Sequence, residues 1–149
     1  MGVSLLLGVG LWGCGDAGPV AVVPDAPPSV QPTPDRPRVV RERPSFALDI
    51  QEIFLRGGCT AAGCHAAAEP RGGLVLVPGR SHAALVRVRA QSENFLLVDP
   101  ASPTSSYLMM RLEGRQTVGN RMPLGQTPLD SIDMGNLRNW ILTGAENNE

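Results

Sequence analysis

The chain has 149 residues, room for one ordinary domain and some non-globular sequence, and its formal net charge of −1 contains no block of basic residues. That balance argues against a nucleic-acid partner. Three Phe, two Trp and one Tyr are few for a core, a shortage met either by packed Leu, Val and Ile or by a large apolar cofactor at the centre.

Val3 to Trp12 (VSLLLGVGLW) is an apolar run shorter than a comfortable membrane span, and it stops at Gly13-Cys14. The short run, Leu11 three residues before the cysteine and the small residue directly before it resemble a bacterial lipoprotein signal. The resemblance implies a signal peptide over 1–13, cleavage before Cys14 and a lipid on that cysteine, hence export and a membrane anchor. Two features depart from the pattern: no Lys or Arg precedes the run, and Trp12 is larger than the usual residue there. A start codon set too far downstream explains the first. With Cys14 taken by lipid, Cys59 and Cys64 remain as a pair.

From Asp16 to Pro44 the prolines Pro19, Pro24, Pro27, Pro28, Pro32, Pro34, Pro37 and Pro44 remove backbone donors and favour extended chain. Residues 14–44 are therefore expected to form a tether, with a domain from Ser45 to the end. Arg36, Arg38, Arg41 and Arg43 either touch anionic headgroups or serve as solubilising charge.

Ser45 is placed to cap a helix to Leu55, in which Phe46, Ile50, Ile53 and Phe54 recur at helical spacing and Gly57-Gly58 form the stop. The glycines lead into Cys59-Thr60-Ala61-Ala62-Gly63-Cys64-His65. Two thiols with an adjacent imidazole suit covalent haem attachment, since the thiols can add across the two vinyl groups while the imidazole ligates iron. The four small residues between the cysteines let the backbone curl tightly. Two other uses fit the same residues: a Cys59–Cys64 disulfide under oxidising conditions, or a zinc site that would need a fourth ligand.

Beyond the motif, 66–70 continues as a helical turn and 72–78 is an apolar strand or extended wall. Ser81 is expected to cap a short helix from His82 to Val88, with His82 more in keeping with a surface or capping role than with an iron ligand. A turn at 98–103 precedes a helix over 104–112, where Met109 and Met110 read as packing residues. Gly114 to Gln126 is a glycine-containing loop centred on Met122-Pro123. A thioether held there can approach iron from the side opposite His65, and His/Met ligation raises the reduction potential. Arg121 beside it suits a haem propionate or plain solvation. Leu129 to Leu142 is the longest helix, started by Pro128 and ended near Gly144. Gly135 within it costs about 1 kcal/mol against Ala unless it permits a close crossing. Met134 is expected to pack.

Phe46-x-x-Asp49-Ile50-x-x-Ile53-Phe54, the Cys59 to His65 motif, Ser105-Ser106-Tyr107-Leu108 leading to Arg121-Met122-Pro123, and Trp140-Ile141-x-x-Gly144-Ala145 together resemble a small monohaem cytochrome c domain. This is the type common in exported planctomycete and myxobacterial proteins. The resemblance implies a mostly α, class I-like fold of three to five helices round one covalent haem c. Cys59 and Cys64 would be its thioether residues, His65 its proximal ligand, Met122 its distal ligand and Arg121 a propionate contact. It further implies a periplasmic or envelope electron carrier rather than an enzyme, anchored through Cys14, with redox proteins as donor and acceptor. The four-residue gap between the cysteines departs from the usual two. The alternative is a haem-free lipoprotein with a degenerate cytochrome fold stapled by Cys59–Cys64. An open iron facing peroxide is a third reading, should Met122 not bind.

Overall fold

The computed structural model describes residues 36–148; Cys14, the apolar run before it and the first part of the proline-rich stretch lie outside them. Ser45 opens the first helix as its sequence predicts. Its Oγ accepts the Leu48 N–H at 3.1 Å, and Asp49 Oδ2 accepts the Ser45 N–H at 2.8 Å, a reciprocal cap that satisfies two otherwise orphaned donors. The helix begins with a wide π turn, Phe46–Ile50, and continues as α1, Gln51–Arg56. Phe46, Ile50, Ile53 and Phe54 all become buried.

The longest helix, α4, spans Ser131–Leu142 rather than starting at Leu129. Asp130 sets the start, because its Oδ1 accepts the N–H groups of Ile132 and Asp133 at 3.1 and 3.0 Å. Leu137, Trp140 and Ile141 form its buried face, with Trp140 lying 5.2 Å from Phe46 between ring centroids. Arg56 at the end of α1 reaches Asp133 of α4 at 2.7 Å. The two helices thus share a core and a charge pair.

Two shorter helices complete the set, giving four α-helices among the described residues and no named strand, only the isolated bridges Val86–Val98 and Arg89–Leu96. The mostly α expectation holds at that level. α2 is Ser81–Leu85, and Ser81 is not its cap: the hydroxyl is fully buried and donates to Gln51 Oε1. α3 is Tyr107–Glu113, three residues later than expected at its start. Ser106 Oγ accepts the Asp99 N–H at 2.9 Å and donates to Ser102 O at 3.0 Å, which keeps 99–106 in a turn. Gly114 ends α3 at φ +76°, a left-handed conformation that favours glycine. Residues 66–70 form no helical turn, and 74–76 is extended.

The packed body begins before Ser45. Residues 36–44 lie along α4, with Arg41 N–H donating to Asn136 Oδ1 at 2.8 Å and Asn139 Nδ2 donating to Arg41 O at 2.7 Å. Gly135 does permit a close approach, yet to Val40 of this segment: a Cβ there would sit 3.1 Å from both Val40 γ-methyls.

Truncating a fully buried side chain on the α4 face should leave a cavity that the surrounding rings cannot fill. Leu137→Ala is expected to destabilise the fold by about 2–5 kcal/mol, measured by denaturant unfolding. A cost under about 1 kcal/mol would mean that Leu137 is not part of a close-packed core.

Candidate functional site around Cys59, Cys64 and His65

The backbone leaves α1 through Gly57 and Gly58, the latter at φ +69°. Gly57 N–H donates to Ile53 O at 2.8 Å and Cys59 N–H to Phe54 O at 2.9 Å, so the first cysteine is fixed to the last turn of the helix. Cys64 N–H donates to Ala61 O and His65 N–H donates back to Cys59 O, both at 3.0 Å. That second bond folds the loop on itself, so both cysteines and the histidine belong to one closed turn. Thr60, Ala61 and Ala62 put no bulk into it. Both thiols are free and half-buried in this structure.

The extended segment after the motif holds His65 from two sides. Leu76 N–H donates to His65 O at 2.8 Å, and His65 Nδ1 lies 3.1 Å from Leu74 O. A carbonyl can only accept, so Nδ1 carries the proton and Nε2 keeps its lone pair. Ring orientation and tautomer are set by one backbone oxygen, the device that aims imidazole ligands at metals. The segment is held in turn by Gln51 Nε2, which donates to Leu76 O at 2.9 Å from α1. Burial lowers the proton affinity of His65 and outweighs the backbone bonds at Leu74 and Arg71, which raise it; the positive charges of Arg111 and Arg71 add to the lowering, and the balance favours the neutral ring. Burial also pushes the Cys59 thiol up to about 11, so it stays protonated at neutral pH.

Gln126 and Leu129 come against the glycines that lead into the motif. A Cβ on Gly57 would lie 3.2 Å from Leu129 Cδ2 and 3.6 Å from Cys59 Sγ, and one on Gly58 would lie 3.2 Å from Gln126 Oε1. Met122 is half-buried and packs against the hydrophobic core. Its N–H donates to Arg111 O at 2.8 Å, and the cis-linked Pro123 after it is buried. Arg121 lays its aliphatic stem against Gly114 and has no carboxylate partner among the described residues.

The remaining candidates lie elsewhere. His82 Nε2 donates to Ala145 O at 2.8 Å, and its ring sits edge-on to Phe46 at 4.9 Å, so it ties the C-terminal segment to the core. Met109 and Met110 are buried, and Met134 packs half-buried on the core. Among the described residues no three His, Cys, Asp or Glu side chains converge as a metal-binding group, so the tetrahedral zinc reading lacks its donors there.

Leu74 and Glu93 went unnoticed in the sequence. Leu74 acts through its carbonyl, which leaves no trace in residue type. Glu93 Oε1 accepts the N–H groups of Thr117 and Val118 at 3.0 and 3.1 Å and the Tyr107 hydroxyl at 3.1 Å, which anchors the loop leading to Met122. Desolvation raises the Glu93 carboxyl, but the backbone donors of Val118 and Thr117 and the Tyr107 hydroxyl outweigh it and hold the group below its ordinary value of 4.5. A lowered carboxylate contributes stability above its unfolded value and loses it as pH falls through the folded one.

The loop anchor should accordingly weaken only in acid, below the ordinary glutamate range. At neutral pH, Glu93→Ala is expected to speed amide exchange over 116–120 by on the order of tenfold, the weight of about one net hydrogen bond, without changing exchange in α4. Unchanged protection in the loop would remove Glu93 from this role. Comparison with protein-family models, with curated proteins and with solved structures finds no match to this chain.

Proposed function

We propose that this chain is an exported, lipid-anchored electron carrier of the c-type cytochrome kind, holding one covalent haem c. The observation that carries the reading is the bond from His65 Nδ1–H to Leu74 O, which leaves Nε2 unprotonated on the closed backbone turn that also carries Cys59 and Cys64. The donor set fits haem: Cys59 and Cys64 would hold it through thioethers, His65 would be its proximal ligand and Met122 its distal one. Such ligation needs one imidazole and one thioether, and no cluster of acidic or cysteine ligands. Bound haem supplies a one-electron ferrous–ferric couple.

The chain's own residues have separate tasks under this reading. The Leu74 carbonyl orients the His65 ring and fixes its tautomer, while burial favours the neutral form. Cys59, protonated through its burial, would hold the haem through a thioether, its S–H available to add across a vinyl group. Leu129, which lies against Gly57 just before the motif, would help to exclude water, favouring the reduced and less charged centre. Arg121, without an acidic partner, is available to a propionate. Cys14 would carry the lipid, and the exposed side of the motif would face redox donor and acceptor proteins.

The deciding experiment exports the whole chain from a host with cytochrome c maturation proteins and records an alkaline pyridine haemochrome spectrum. A c-type band pattern that survives acid-acetone extraction is expected. Folded protein without haem, with Cys59 and Cys64 oxidised to a disulfide, would overturn the proposal in favour of the stapled, haem-free lipoprotein.

Two variants apportion the roles. Met122→Ala is expected to lower the reduction potential or open the iron to added ligands; an unchanged spectrum and potential would take Met122 out of the coordination. Cys14→Ser is expected to move the protein from the membrane to the soluble fraction. Retention in the membrane would exclude Cys14 as the anchor.

A further inference from the structure

Residues 36–44 are joined to the body mainly by charged and amide groups. Arg36 and Arg41 meet the two oxygens of Asp49 at 3.2 and 2.9 Å, and Arg38 reaches Asp130 at 2.6 Å and Asp133 at 3.0 Å. Asn136 Nδ2 donates to Val39 O at 2.9 Å while its Oδ1 accepts from the Arg41 N–H, and Asn139 donates to Arg41 O. Helix α4 thus holds the backbone of the passing segment with two amides and helps hold its side chains with carboxylates. Apolar burial adds little, since Val39 and Val40 remain 47% and 53% exposed. One nitrogen of Arg36, Nη1, is covered and unpartnered, which weighs against the seated position.

The two buried carboxylates beneath have second partners in the body. Asp49 Oδ2 also accepts the Ser45 N–H at 2.8 Å, and Asp133 Oδ1 also pairs with Arg56 at 2.7 Å. Those bonds remain when the segment lifts away, so neither carboxylate is orphaned and the freed arginines return to water.

We propose that residues 36–43 form a charge-held strap that seats on α4 and releases from it as a local unit, hinged at the buried Pro44, while the body stays folded. Seated, the strap fixes the chain from residue 36 onward to the α4 face. Released, it lengthens the connection by up to about 25 Å at ~3.3 Å per residue. That reach serves an anchored electron carrier, and to that extent alone the inference rests on the function proposed above. The arginines of the strap stay partly exposed over buried carboxylates, so their attraction weakens, though less than that of a fully exposed pair, as the screening length shrinks from about 10 Å in 0.1 M salt to about 3 Å at 1 M.

Amide hydrogen exchange read by mass spectrometry on the full exported chain, at about 0.1 M and about 1 M NaCl, tests the strap. Peptides from 37–43 are expected to exchange about tenfold faster at high salt, and to do so already at low salt in Asn136→Ala, whose amide bonds only the strap. Peptides from 131–142 are expected to keep their protection. Equal acceleration of strap and helix would make them one cooperative unit, protection of 37–43 indifferent to salt would rule out charge as the holding force, and full exchange at low salt would mean the strap is not seated; each overturns the proposal. Should Asn136→Ala unfold, the salt comparison on the unaltered chain decides. The haem spectrum of the same sample is read separately, so a missing cofactor is not mistaken for a missing strap.

Discussion

Phe46 and Trp140 meet at 5.2 Å across the junction of the first helix with α4, and everything around the motif hangs from that junction. The rings, with Ile50, Ile53, Leu137 and Ile141, form an apolar centre in which each full burial is worth roughly 1.5–3 kcal/mol. Because the helices are short, none is stable alone, and packing supplies what propensity does not. The last turn of α1 is thereby held still. Cys59 hangs directly from that turn through Phe54 O, so the rigidity of the core is passed to the motif through one backbone bond.

The motif is held by backbone more than by side chains. Leu74, Leu76 and Cys59 contribute main-chain groups to His65, while Gln51 reaches across from α1 to keep the extended segment in place. An imidazole held in this way loses little further freedom on ligating a metal, which is the thermodynamic advantage of a preformed site. The loop carrying Met122 is organised differently. It has no regular structure, and it depends on Glu93 and on the main-chain bond to Arg111 O. Under the proposed function, a rigid imidazole and a more loosely held thioether would give a centre whose distal side adjusts while its proximal side does not.

Charge is used unevenly over the surface. Six of the arginines, Arg36, Arg38, Arg41, Arg56, Arg115 and Arg138, find carboxylates, and all but Arg115 pair with residues distant in sequence or on another turn. Arg71 instead donates to Gly63 O within the motif and Arg111 to Val118 O in the distal loop. Those two cations stay near His65 without a counter-charge, which disfavours a proton on the ring.

Local pattern alone determined the capped first helix and its four buried positions, the glycine stop before Cys59, the turn at 98–103 and the apolar face of α4, because spacing and caps act within a few residues. The grouping of two cysteines with His65 was likewise legible, since the chemistry is contiguous in sequence. Helix starts at 81, 107 and 131 were not, because Ser81, Ser106 and Asp130 had their roles assigned by partners as well as by spacing: Gln51 took the Ser81 hydroxyl, the 99–102 turn took Ser106, and Asp130 displaced Pro128 as the start signal. Proline density marked 36–44 as a tether, yet the arginines between the prolines find Asp49, Asp130 and Asp133, two of which lie more than ninety positions from Arg38. The Leu74 carbonyl belongs with these. A main-chain oxygen is the same in every residue, so only the tertiary fold could decide that this one faces His65.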